Sequence, residues 1–278
     1  MTFKPVESMM NSRVEAVRRL GDYLDYLLSY SSLLKSMVKK DFKGRFKHTA
    51  LGYGWHLINP LFQIAIYYVV FTVVFGRDIP NYWVYISTGM FMYTFASSCI
   101  KGGCDCIVKN AKTVTKLSFA RETLVMSTVL TNLISLAITY VILAVLILAS
   151  GVGLTWNVLY VPVIIAILTV FLIGLAFLLS AVTVYYRDVS NAASVVLSCL
   201  LFAMPVIYVA SQIQSDIVEL IWHINPLFYF VECIHDSFYY GVAPDVTYMA
   251  VCVVSAVVML VVGLYVFKKL ERGFAERL

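Results

Sequence analysis

The stretch DFKGRFKHTALGYGWHLINP, residues 41–60, marks the point where the chain leaves water for an apolar surrounding. Lys43, Arg45 and Lys47 sit on its wet side, Gly52 and Gly54 let backbones approach closely, and Trp55 is the amphipathic ring that settles at headgroup depth. Upstream the sequence is basic and mostly polar. Downstream it runs through long apolar segments, so the fold is decided by how often the chain crosses a bilayer after residue 56.

Composition agrees. Of 278 residues, 61% are hydrophobic and 13% are charged, far from the roughly 25% charged of ordinary globular proteins. The expected fold class is an all-α membrane protein. Six transmembrane helices are expected at 57–76, 82–100, 123–150, 158–184, 192–210 and 246–267, none of which contains Asp, Glu, Lys or Arg. Residues 1–56 are read as a cytoplasmic amphipathic segment and 57–278 as the membrane domain with a short tail. No secretory signal is recognised at the start. Within the first segment, Met10, Val14, Val17, Tyr23, Leu24, Leu27 and Leu28 recur at helical spacing, with Arg13, Arg18, Arg19 and Asp22 on other faces. That pattern predicts an N-terminal interface helix lying on headgroups or on a protein partner.

Basic residues fix the orientation, because cytoplasmic loops carry an excess of Lys and Arg. With six spans, 20 of the 21 basic residues fall on one side and only Arg77 on the other. Both termini are therefore expected in the cytoplasm, and the net charge of +5 reflects topology and implies no nucleic acid. Residues 211–245 are apolar in parts but carry Asp216, Glu219, Glu232, Asp236 and Asp245. Each acid at mid-bilayer would cost about 2.5 to 3.5 kcal/mol, and a seventh span would place the basic tail outside. The segment reads as a re-entrant helix pair before the last span, broken at Asn225-Pro226, or as an interfacial external loop.

Several chemistries are missing. No G-x-x-x-x-G-K-[ST] string occurs, so the chain has no P-loop for nucleotide phosphates. Cys99, Cys104 and Cys106 lack zinc spacing, the six cysteines read as small buried apolar residues, and the four histidines form no H-E-x-x-H. No catalytic or metal-ligating residue and no cofactor is expected on this chain. Proton-driven carriers usually place acids or His in the bundle as relays, and the charge-free spans point instead to drive from a separate protein. The loop 109–121, KNAKTVTKLSFAR, is long and basic enough to present a short helix to such a partner, although positive-inside topogenesis explains its charges equally well.

Taken in order, Arg45, Leu51-Gly52, Trp55, Asn59-Pro60, the string Lys116-Leu117-Ser118-Phe119-Ala120-Arg121-Glu122, Tyr186-Arg187-Asp188, Pro205-Val206-Ile207-Tyr208 and Asn225-Pro226-Leu227 closely resemble the permease subunits of bacterial polysaccharide ABC exporters. Those carry O-antigen, teichoic acid or rhamnose polymers. Ala120 departs from the family's usual Pro, and Phe46 replaces a commoner Tyr. The resemblance implies a homodimer in the bacterial cytoplasmic membrane, bound to two copies of a P-loop ATPase subunit that holds ATP and Mg. Its substrate would be a polysaccharide, often lipid-linked, moving outward through a channel. Candidate walls of that pathway are Tyr67, Tyr68, Phe71, Phe91, Tyr93, Phe95, Phe202, Tyr208, Phe228 and Tyr229, because aromatic faces stack on sugar C–H faces. Candidate coupling residues are Arg45, Lys116, Arg121, Glu122, Arg187 and Asp188. The rival readings are an ABC permease for a small lipid or drug and, further off, a membrane lipid-sugar transferase.

Overall fold

In the computed structural model, residues 30–44, 52–74, 79–116, 119–210 and 215–278 are described. The expected helix at 10–28 and Arg45 lie outside them, as does the side chain of Lys116. Among the described residues the chain is helical throughout and has no strand. The main helices are α1 (Ser31–Gly44), α2 (Trp55–Tyr67), α3 (Tyr82–Lys109), α4 (Ala111–Lys116), α5 (Glu122–Ala149), α6 (Tyr160–Tyr185), α7 (Asp188–Ala203), α8 (Asp216–Ile224), α9 (Pro226–His235), α10 (Val246–Glu271) and α11 (Phe274–Arg277).

In lipid, burial of apolar surface does not by itself drive helices together, because lipid tails are as apolar as Leu; close packing does. Small residues supply it here. A Cβ on Gly174 of α6 would lie 2.5 Å from the Leu260 backbone of α10, and one on Gly103 of α3 would lie 2.8 Å from the Ala176 Cβ. Helix α6 is thereby the hub, wedged between α10 and α3, with Leu168, Leu172 and Phe177 buried at the joints. The outward faces of α2, α5 and α10 expose Phe62, Ile66, Val141, Val145, Val254 and Val261. Such continuous exposed apolar surface suits a lipid surrounding or another membrane helix.

Among the described residues four helices are long and apolar enough to cross a membrane: Leu57–Val74, Glu122–Ala149, Trp156–Tyr185 and Val246–Glu271. Two of the six expected spans fall short of that standard. Helix α3 has ample length at 28 residues, but Tyr82, Tyr85, Ser87, Thr88, Ser97 and Ser98 lower its hydropathy. It occupies the middle of the bundle, where protein takes the place of lipid. The span expected at 192–210 is helical only to Ala203. Pro205 removes a backbone donor, so the chain continues as an irregular buried stretch from Met204 to Val206 and on through Val209.

Irregular backbone survives at membrane depth only when its polar groups are satisfied inside the protein. Tyrosines of α3 do this. The Tyr85 hydroxyl donates to the carbonyls of Pro205 (2.9 Å) and Tyr208 (3.0 Å), and the Tyr82 hydroxyl donates to that of Ile207. Nearby, Tyr93 donates to the Leu197 carbonyl and Tyr140 to that of Thr88 (2.9 Å). The expected break at Asn225-Pro226 is present. Residues 216–224 and 226–240 meet at 98°, the Asn225 side chain accepts from the Leu227 N–H at 3.1 Å, and Pro226 takes the first helical position, where no donor is needed.

Candidate functional site

Between α2, α3 and α5 lies a groove of about 200 Å³. From α2 it receives Trp55, Asn59 and Gln63; from α3, Phe91, Thr94, Phe95 and Ser98; from α5, Asn132, Ser135 and Thr139. The walls combine amides, hydroxyls and three aromatic rings, and among the described residues no charged side chain lines it. Neutral donors and acceptors beside aromatic faces favour a neutral, hydroxyl-rich ligand over an ion. Asn132 donates to the Thr128 carbonyl at 3.0 Å, which steadies one amide wall.

Of the aromatics expected to line a pathway, Phe91 and Phe95 face this groove, and its polar members were not among the expected residues. Their signal was present all the same. Asn59 and Gln63 are spaced i, i+4, Phe91, Thr94, Phe95 and Ser98 follow i, i+3, i+4, i+7, and Asn132, Ser135 and Thr139 follow i, i+3, i+7. Each is a polar or mixed stripe on one face of an apolar helix.

The remaining aromatics selected from sequence occupy several places. Tyr67 and Phe71 pack with Tyr82 and Tyr85, and Tyr93 is an internal strut to α7. Phe228 is buried, stacked on Trp222 with ring centroids 5.6 Å apart, and Tyr229 meets Tyr248 edge-on at 5.2 Å. Tyr208 is half-buried over Trp222, and Tyr68 and Phe202 are exposed on the protomer. Five cysteines are buried as expected, whereas Cys199 is exposed on α7. Helical packing explains the difference: Cys199 lies two residues from buried Leu197, on the opposite flank of the helix. Among the described residues no group of three or more His, Cys, Asp or Glu could hold a metal. His235 is fully buried, stacked on Tyr85 at 3.8 Å, with Nδ1 3.9 Å from Glu232 Oε1.

At the opposite end, the start of α5 is joined to the end of α10. Glu122, with no exposed side-chain surface, pairs with Lys268, which also reaches Glu271 at 3.3 Å. Arg121 donates to the Glu271 carbonyl at 2.7 Å and lies over the Phe274 ring. Helix α1 rests on this region through Met37, and Ser127 donates to Asp41 at 3.5 Å. The short helix expected in the basic loop is α4, directly before α5. Arg187 and Asp188 are exposed at the turn into α7. Between them and α4, Asp105 joins Lys109 at 2.9 Å and accepts from Ser190 at 2.7 Å. Burial raises the Asp105 carboxyl, but Lys109 and Ser190 outweigh it and leave the group below the usual carboxylate range.

An all-helical bundle with lipid-suited outer faces, an uncharged polar groove and an ion-paired rim has the build of a multi-pass membrane permease. The chain belongs to the ABC-2 type transporter family, which matches residues 32–239. It is similar to the O-antigen export system permease protein RfbA of Myxococcus xanthus, with 30% identity over 251 residues, covering 90% of this chain and 96% of that protein. Two proteins of that name from Klebsiella pneumoniae are 29% identical over 256 residues and 27% identical over 255, each spanning 91% of this chain and 98% of its own length. Within this family the chain is a non-catalytic transport subunit.

Proposed function

We propose that this chain is the channel-forming subunit of an ATP-driven exporter that moves a polysaccharide of the O-antigen or teichoic-acid kind, carried on a lipid, outward across the bacterial cytoplasmic membrane. The observation that carries this reading is the groove. Its amides, hydroxyls and aromatic faces, with no charge among the described residues, match the alternating polar and C–H surfaces of sugars. Relatives named as O-antigen export permeases support the same substrate class.

In this reading two copies of the chain form the channel, and two P-loop ATPase subunits, holding ATP and Mg, drive it. Both termini are cytoplasmic. The six crossings are the four long apolar helices together with α3 and α7. At 1.5 Å per residue the 28 residues of α3 reach about 42 Å, beyond the roughly 30 Å hydrocarbon core. The α8–α9 pair enters and leaves on the outer side, which keeps the basic tail of α10 inside. Arg121, Arg187, Asp188 and α1 would then lie where a cytoplasmic ATPase can touch them, with buried Glu122 behind them.

The test is export in cells lacking their own permease, supplied with this chain and a cognate ATPase. Surface polymer should require both proteins, and filling the groove with Ser135→Trp should reduce it at least tenfold at normal membrane abundance. Unchanged polymer export by the filled variant would overturn the assignment. Thiols introduced at Pro80 and Ser215 should label in intact cells and those at Thr113 and Ser190 should not; equal labelling of Thr113 would refute the orientation.

A further inference from the structure

Where α1 leans on α5 the protein leaves a second cavity, larger than the groove at about 480 Å³ and almost wholly apolar. Its floor is made by Leu34 and Val38 of α1 and by Leu130 and Leu133 of α5, none of them fully covered. The α1 residues are spaced i, i+4, and one position further on, at the same spacing, exposed Lys35 and Lys39 stand along the rim. Among the described residues the lining includes two ammonium groups and no carboxylate. Asp41 faces away, into the neighbouring cleft with Lys40, Ser127 and Thr128.

The depth of this cavity is set by α5. Leu130 follows Glu122 by eight residues, so at 1.5 Å per residue the floor begins about 12 Å along the helix from its charged start. With α5 starting at the cytoplasmic surface, as proposed above, that is the level where acyl chains give way to headgroups. Lysine stems lie along apolar surface and carry their charge toward the interface, and a cytoplasmic leaflet rich in anionic lipid attracts such groups. An apolar slot with a pair of cations at its mouth is thus complementary to one kind of molecule at this depth.

We propose that the α1–α5 cavity is a binding site for an anionic glycerophospholipid of the cytoplasmic leaflet, one acyl chain lying on Leu34, Val38, Leu130 and Leu133 and the phosphate held by Lys35 and Lys39. The lipid joins α1 to the bundle and is not cargo. The site rests on the orientation of α5 and not on the identity of the exported substrate, so loss of polysaccharide export would not bear on it.

The full chain, purified in mild detergent with equimolar phosphatidylglycerol and phosphatidylcholine and weighed by native mass spectrometry, should retain phosphatidylglycerol preferentially. Each lysine near an anionic surface is worth about fivefold in binding, the factor equivalent to about 1 kcal/mol. Lys35→Glu with Lys39→Glu should therefore reduce the preference by about thirtyfold or more, while Lys40→Glu should leave it unchanged. As a second readout, Val38→Trp should be quenched by bromo-acyl phosphatidylglycerol more than by its phosphatidylcholine counterpart. Equal retention of the two lipids, an equal effect of Lys40→Glu, or a Trp at 38 shielded by residues 10–28 or a soluble partner would each overturn the proposal.

Discussion

Gly174 is the point on which the helical hub depends, and adding a single methyl there gives a measurable consequence. In Gly174→Ala the new Cβ would lie 2.5 Å from Leu260 Cα and N and from the Met259 carbonyl carbon. All three are α10 backbone atoms, so no side-chain rotation relieves the overlap. Reaching an ordinary separation of about 3.5 Å requires α6 and α10 to part by about 1 Å, a gap that forfeits a quarter to a half of each contact's attraction along the seam. Overpacking of this kind costs about 1 to 3 kcal/mol. Ala in place of Gly within a helix returns about 1 kcal/mol, leaving a net loss of up to about 2 kcal/mol. Chemical unfolding of the purified chain in mild detergent, followed by circular dichroism, should show that loss, with a thermal midpoint lower by up to roughly 8 °C. Gly44→Ala is the control, because a Cβ there meets nothing within 4 Å. Wild-type stability in Gly174→Ala, or an equal loss in Gly44→Ala, would refute the close-packed crossing.

Three further outcomes follow from the polar contacts. Lys268→Met removes an ionic partner of buried Glu122 and, with the lysine half exposed, should cost about 1 to 3 kcal/mol, whereas Lys112→Ala on α4, at an exposed position, should stay within about 0.5 kcal/mol; equal stability of the two variants would count against the rim clamp. Tyr85→Phe takes a donor from the Pro205 and Tyr208 carbonyls and should cost about 1 to 3 kcal/mol, with faster amide exchange or proteolysis at residues 204–209; an unaltered stretch would show that other groups satisfy it. Asp105 has a folded pKa below its unfolded value, so its contribution is fully present above about pH 4 and is lost as pH falls through the lower folded value. The stability gap between the wild type and Asp105→Asn should accordingly close on acidification, and a gap independent of pH would show that Lys109 and Ser190 do not hold the carboxylate.

The amino-acid sequence by itself determined the solvent of this protein. Its charge-free runs and the Asn225-Pro226 break are local properties, set by transfer energies and backbone chemistry that need no knowledge of neighbours. The membrane class, the helical content and the break at Asn225-Pro226, where the two helices meet at 98°, were legible for that reason. The end of α7 was only half legible: Pro205 announced a break, but nothing local says that tyrosines about 120 residues earlier in the chain would supply the missing hydrogen bonds. The pairing of Glu122 with Lys268 likewise joins residues nearly 150 positions apart. The groove depended most on tertiary structure. Asn59, Thr94 and Asn132 are unremarkable singly, and only the packing of α2, α3 and α5 turns three polar stripes toward one space. A stripe's periodicity can be read from one helix, but the direction it faces is fixed by the small-residue contacts that set how the helices cross.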